Sequence, residues 1–288
     1  MWGFTGILGK LIHLDDLILV WHRILIAGVA LGIALISLRR SFAVSNKKNL
    51  FFILGVGVVV ALHWLTFYRS IQLSTASLGI LCLSTTTLHV TWLEPLIMKR
   101  KFSWTEFFMG IIVIYGIYFV SGDFSGNDYI ALAYGLSSAF FAALFSVSNA
   151  RLAKEESSST ITFFELISGF VFLSVVLLSQ NKLNADLFQM TLSDFLWLLF
   201  LGILCTSFAF LATIEVVKRL GAFTVSLSIN LEPVYTILLA IVILKENEIL
   251  GSQFYIGSTI IVMVVVANAV LKYYLKSRQL KKELKEGL

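Results

Sequence analysis

The sequence is short of charge. Only 14% of its 288 residues are Asp, Glu, Lys or Arg, where a water-soluble globule carries about a quarter. With 58% hydrophobic residues and a mean hydropathy of +0.90, a soluble fold is excluded. Two prolines and 19 glycines rule out a collagen-like or disordered chain, and the alternating segments of about ten residues that build an outer-membrane barrel are missing. Cysteine is scarce too. Cys82 and Cys205 lie inside apolar runs, so neither a disulfide framework nor a zinc site can be built on them, and they read as small packing residues. No HExxH, GxSxG or acidic metal cluster is present, which weakens an enzyme reading and implies no metal or other cofactor. What remains is an all-α polytopic membrane protein.

A crossing helix needs about 20 apolar residues. Cutting the sequence at charged or Gly/Ser/Asn-rich breaks predicts ten transmembrane helices, at 1–12, 17–38, 50–68, 76–98, 104–121, 129–150, 159–178, 195–216, 222–244 and 253–271. The cations set the orientation. Of the 22 Lys and Arg, only Arg69, Lys182 and Lys245 fall in the loops that face outward if the N-terminus is cytoplasmic, and Lys10 and Arg23 lie within spans. All the others occupy the inner loops and the C-terminal tail, so both termini are expected in the cytoplasm of a cell (inner) membrane. The net charge of +5 and pI near 9.1 then need no nucleic acid partner; the basic tail, 273–288, meets the headgroups of the lipid bilayer.

Ten spans divide into five and five, and an odd number per half inverts the second half in the membrane. The expected repeats are 1–122 and 127–272. A shift of 147 places Gly55 on Gly202, Glu106 on Gln253, Phe107 on Phe254 and Gly110 on Gly257; a shift of 141 places Phe4, Thr5 and Lys10 on Phe145, Ser146 and Arg151. The first span alone is too short, about 18 Å at 1.5 Å per residue. It is either a half-span or a truncated one, with about a dozen residues upstream.

Polar groups inside spans are costly and therefore functional candidates. Glu232 falls near the middle of the ninth span, before Pro233, whose missing N–H frees the carbonyl of Ile229, with Asn230 in the same turn. A broken helix with a carbonyl, an amide and a carboxyl at mid-depth suits a substrate or proton site, the bland alternative being a protonated Glu that satisfies the kink. Arg23, beside Trp21 and His22, must snorkel, pair with an anion or face a wet cavity. Lys10 is close enough to the outer face to snorkel. Glu165 is the counterpart of Arg23 at a shift of 142, in the opposite half of the bilayer, which suits opposed gates or a helix-packing role. His63 with Trp64, Thr86 with His89, and Asn149 are expected to line a cavity, each with a plain interhelical hydrogen bond as its alternative. Gly3, Gly6, Gly9, Gly28 and Gly32 are spaced for close helix packing, not phosphate binding. His13, Asp15 and Asp16 read as a solvated loop.

Trp2-Gly3 followed by Lys10, His22-Arg23-Ile24-Leu25-Ile26-Ala27, Leu231-Glu232-Pro233-Val234, and Lys245-Glu246 ahead of Gly257 together resemble the EamA-type transporters of the drug/metabolite transporter superfamily. The resemblance spans nearly the whole chain. It implies two inverted five-helix repeats, a central cavity and movement of small metabolites, commonly out of the cell. It puts Trp2, Gly3 and Lys10 at the end of the family's first helix, Arg23 on its second-helix arginine, Glu232 and Pro233 on its ninth-helix Glu-Pro, and Glu246 on the Glu that ends that helix. The chain departs where the proline usual in helix four is Thr86, with Pro95 nine residues later, and where Lys99 or Arg100 replaces the terminal Glu of the first half, which puts symmetric hinging of helices four and nine in doubt.

The expected function is a secondary transporter, an exporter of amino acids or similar small-molecule substrates, working by alternating access. Arg23, His63, Trp64, Thr86, His89, Asn149, Asn230 and Glu232 would bind substrate, and Lys10, Glu165, Glu232 and Pro233 would gate or couple. The proton is the candidate coupling ion, and a homodimer stays open. The alternatives are a flippase of lipid-linked substrates and a membrane-embedded enzyme.

Overall fold

The structure is a computed structural model that describes residues 3–99, 101–124, 126–209, 212 and 232–285. Among the described residues there is no strand. The helices are α1 (Gly3–Leu11), α2 (Asp16–Ser37), α3 (Lys47–Leu73), α4 (Ala76–Leu83), α5 (Thr86–Met98), α6 (Trp104–Val120), α7 (Asn127–Leu152), α8 (Ser158–Ser179), α9 (Leu192–Leu199) with a π-helical continuation at Phe200–Phe208, α10 (Glu232–Leu244) and α11 (Ser252–Lys285). Asp16–Ser37, Lys47–Leu73, Ala76–Met98, Asn127–Leu152 and Ser158–Ser179 are long and apolar enough to cross a membrane. Shorter apolar helices, Trp104–Val120, Leu192–Phe208, Glu232–Leu244 and Ser252–Asn268, fall in the fifth, eighth, ninth and tenth spans.

Local chemistry sets the boundaries. Asn46, Thr75, Ser103, Ser157 and Thr191 each accept a backbone N–H of the first helical turn that follows, satisfying donors that a helix start leaves unpaired. At the other ends, four non-glycine residues take the left-handed conformation: Arg39 (φ 50°), Lys99 (φ 55°), Asn181 (φ 56°) and Lys245 (φ 54°). They come in pairs. Arg39 and Asn181 follow α2 and α8, helices of 22 residues each, and Lys99 and Lys245 follow α5 and α10. The duplicated architecture is therefore visible in the backbone.

Packing follows the same pseudo-symmetry. Trp21 contacts Ser174, Gly28 faces Leu166 and Gly32 faces Phe163, so numbers fall on α8 as they rise on α2 and the two run antiparallel. α3 also crosses α8, at Gly57, where a Cβ would strike the Glu165 backbone, and at Gly169. The equivalent crossing of α2 occurs at Gly202, whose Cβ would lie 2.6 Å from Ile26. The N-caps Asn46 and Thr191 align these segments at a shift of 145, which matches Gly57, not Gly55, with Gly202. Gly55 has open space around it. α6 and α11 pair at the edge through Gly116 and Gly257. In hydrocarbon, helices associate through such close van der Waals approach, because lipid tails remove the hydrophobic drive.

Two polar clasps tie the loops. At one end the Glu156 carboxylate accepts from the backbone N–H and hydroxyl of Ser45 and from the Asn49 amide, joining the α7–α8 loop to the start of α3. At the opposite end Asp194 accepts from the His13 backbone N–H at 2.9 Å and Lys182 meets Asp15 at 3.4 Å. The predicted solvated loop is thus pinned, although His13 itself is exposed.

The described part of the first span is short, as expected, at nine residues, about 14 Å. Two other spans differ from their expected form. The fourth is interrupted at Ser84 and Thr85, where bonds tighten to Ser84 N–H on Leu81 O and Thr85 N–H on Cys82 O. No proline causes this; the Thr85 hydroxyl donates to the Cys82 carbonyl at 2.7 Å and competes with the helical ladder. Pro95 sits inside α5 without breaking it. The eighth widens into the π-helix, and the basic tail continues α11 as helix to Lys285.

Candidate functional site

The face of α3 that carries Val60, His63, Trp64 and Phe67 has helical spacing, and it meets Arg23 of α2, Glu165 of α8, Asn149 of α7, Thr206 of the π-helix and Glu232 of α10 around a cavity of about 290 Å³. A second cavity of about 420 Å³ adjoins it and shares His63, Leu83, Phe145 and Glu232. Ser84, Thr86 and Thr87, at the break of the fourth span, line this second chamber with Pro233.

Arg23 is the best-held polar residue of the site, at 4% exposure. Its Nε donates to Thr206 Oγ1 at 3.1 Å and its Nη1 to the Tyr68 hydroxyl at 2.9 Å. The guanidinium carbon stands 4.0 Å from the centre of the Trp64 ring, a cation–π contact worth about 2 kcal/mol when desolvated. These partners are neutral. Glu232 lies within the electrostatic reach of Arg23, yet among the described residues no carboxylate makes an ion pair with it. The π-helix contributes directly: its wider turn lets Thr206 donate to Leu201 O at 2.8 Å while accepting from Arg23, and lets Ser207 reach Ala27 O.

Glu165 is equally buried, at 4% exposure. The Asn149 amide is in hydrogen-bonding reach of its carboxyl, but Glu165 Oε1 and Asn149 Oδ1 have no partner among the described residues. His63 Nδ1 lies 3.0 Å from the Ser138 carbonyl oxygen and 2.9 Å from its hydroxyl, which anchors the ring between α3 and α7.

The structure brings together Arg23, His63, Trp64, Asn149, Glu165 and Glu232 on one cavity, and Thr86 and Pro233 on the other. His89 is on neither wall; its ring packs against Phe140 and Trp92. Lys10 is elsewhere as well, donating to the Ser74 carbonyl, close to Glu246. Both oxygens of Glu246 accept backbone N–H groups of Ala76 and Ser77, so this residue ties the end of α10 to the start of α4. Asn230, like Trp2, lies outside the described residues. Sequence reading missed Tyr68 and Thr206. Tyr68 was findable, because it follows Trp64 by one helical turn; Thr206 was not, because a π-helix alters the face it presents.

The model of the EamA-like transporter family matches residues 1–122 and 129–270. No curated protein matches the sequence. Among solved structures, one protein crystal structure superposes with a TM-score of 0.64 at 15% identity, covering 95% of this chain and 94% of that one. That likeness concerns the fold.

Proposed function

Because the chain belongs to the EamA-like transporter family, and is therefore a multi-pass membrane transporter of small molecules, we propose that it is a secondary exporter of small metabolites bearing an anionic group, such as amino acids, and that it works by alternating access around the two joined cavities. The observation that carries this reading is Arg23: a permanent cation, buried, on a cavity wall, with neutral hydrogen-bond partners. A guanidinium there favours an anionic visitor, which it can hold with two parallel bonds. Glu232, on the wall of both chambers, and Pro233, on that of the second, serve as the coupling carboxyl and the hinge, with the proton as coupling ion.

The test is transport by everted and right-side-out vesicles loaded with amino acids. Arg23→Lys is expected to weaken transport, since a fork becomes a point charge, and Arg23→Met to weaken it at least tenfold, equivalent to about 1.4 kcal/mol. Undiminished amino-acid transport by Arg23→Met would sink the proposal, and net movement only inward would reverse its direction. The distribution of Lys and Arg supports a cell membrane location with both termini in the cytoplasm. A reporter fused after Leu288 should be active only on that side.

A further inference from the structure

We infer that Glu165 and Asn149 form an ammonium subsite of the cavity that Arg23 lines, so that the transported solute carries a protonated amine. This rests on the cavity being the substrate site. Two acceptor atoms, Glu165 Oε1 and Asn149 Oδ1, are buried without partners among the described residues on the wall of one chamber. Buried acceptors that no protein donor meets are expensive to leave unmet, each costing about 1–3 kcal/mol, and a buried carboxylate without a counter-ion costs more. They call for a donor. With the carboxyl ionised, the excess of acceptors holds whichever way the Asn149 amide is turned, because a carboxylate beside a carboxamide offers more lone pairs than the amide has hydrogens.

Arg23 is not that donor. Its described hydrogen bonds go to Tyr68 and Thr206, and each of the two charged residues is eighth in an antiparallel helix of 22 residues, which separates them by about 10 Å along the axis. An ammonium group supplies three donors and one positive charge in the volume of a methyl. It can meet both orphan oxygens at once. The same cavity is lined by Trp64, Phe67 and Phe145, which suits a solute with an apolar or aromatic body. The assignment gives Glu165 a part in recognition in place of a gate.

Three probes share a ring and a two-carbon spacer and differ only in charge: 2-phenylethylamine, L-phenylalanine and 3-phenylpropionate. Binding to purified protein in detergent, read by thermal shift and titration, requires no transport. Both amines are expected to bind, Glu165→Gln to weaken both at least tenfold and leave 3-phenylpropionate unchanged, and Asn149→Asp to strengthen 2-phenylethylamine. The inference is overturned if neither amine binds, if 3-phenylpropionate binds as tightly as 2-phenylethylamine, or if Glu165→Gln keeps the amine affinity, in which case the carboxyl takes only a proton. Should Glu165→Gln not survive purification, Asn149→Asp decides: stronger amine binding supports the subsite and unchanged binding removes it. Loss of 3-phenylpropionate in Arg23→Met, with amine affinity untouched in Glu165→Gln, would leave the anion site standing and eliminate the ammonium subsite alone.

Discussion

α2 and α8 are the same helix written twice: 22 residues, antiparallel, closed by a left-handed residue, with a charged side chain in the eighth position. Their surroundings diverge. Arg23 is met by Tyr68 and Trp64 from α3 and by Thr206 from the π-helix, whereas Glu165 has the Asn149 amide and one oxygen with no partner among the described residues. The duplicated backbone fixes where a charge stands, and neighbours on other helices fix whether it is satisfied. The fourth and ninth spans make the same point. One breaks at Ser84 and Thr85 through the Thr85 hydroxyl and the other carries Glu232 and Pro233, yet both reach the second chamber.

The largest effect should come from the acidic half of that second pair. Glu232→Gln keeps the shape and removes the titratable group, so transport driven by a proton gradient should fall about a hundredfold, equivalent to roughly 2.7 kcal/mol, while the protein remains folded. Unaltered gradient-driven transport would make Glu232 a kink residue and reduce the two spans to equivalents. Next is the crossing that holds α3 against α8. Gly57→Ala should cost about 1–3 kcal/mol, because the backbone of Glu165 cannot yield. Gly55→Ala, two residues away on the opposite face and in open space, should change the melting temperature by the equivalent of less than about 0.5 kcal/mol. Equal losses at both would break the matching of Gly57 with Gly202.

The smallest effect concerns the loop clasps at the two ends. Burial works against the charge of Glu156, but hydrogen bonds from Ser45 and Asn49 outweigh it and hold the carboxyl below the usual carboxylate range. A depressed native value means the contribution is full above the unfolded value of about 4.3 and is lost as pH falls through the native one. The melting temperature of Glu156→Gln should therefore lie slightly below the parent at neutral pH, and the gap should close below about pH 4. A gap that widens in acid would show that the clasp does not depend on the charge.

Much of this was legible beforehand. Hydropathy located the spans, and helical spacing put His63 and Trp64 on one face, as the cavity has them. Gly3, Gly6, Gly28 and Gly32 do meet neighbouring helices, at Thr236, Leu166 and Phe163. Other features were not legible for physical reasons. His89 looked like a cavity residue beside Thr86, but Thr87 also makes that wall, and His89, two residues from it, lies about 160° around the helix, so its ring turns to Phe140 and Trp92. The break at Ser84 and Thr85 has no proline to announce it. Lys10 looked free to snorkel and instead binds the Ser74 carbonyl.

The sequence alone determined that the chain is helical and lives in a bilayer, that its two halves share a plan, and which side chains would be too costly to bury without purpose. Those properties follow from composition and period, which each segment carries by itself. Tertiary structure decided the rest. That Arg23 is sated by Tyr68, Trp64 and Thr206 and that Glu246 ties the end of α10 to the start of α4 are facts about residues 41 to 183 positions apart. Such pairings depend on which helix faces meet, and no local pattern encodes that.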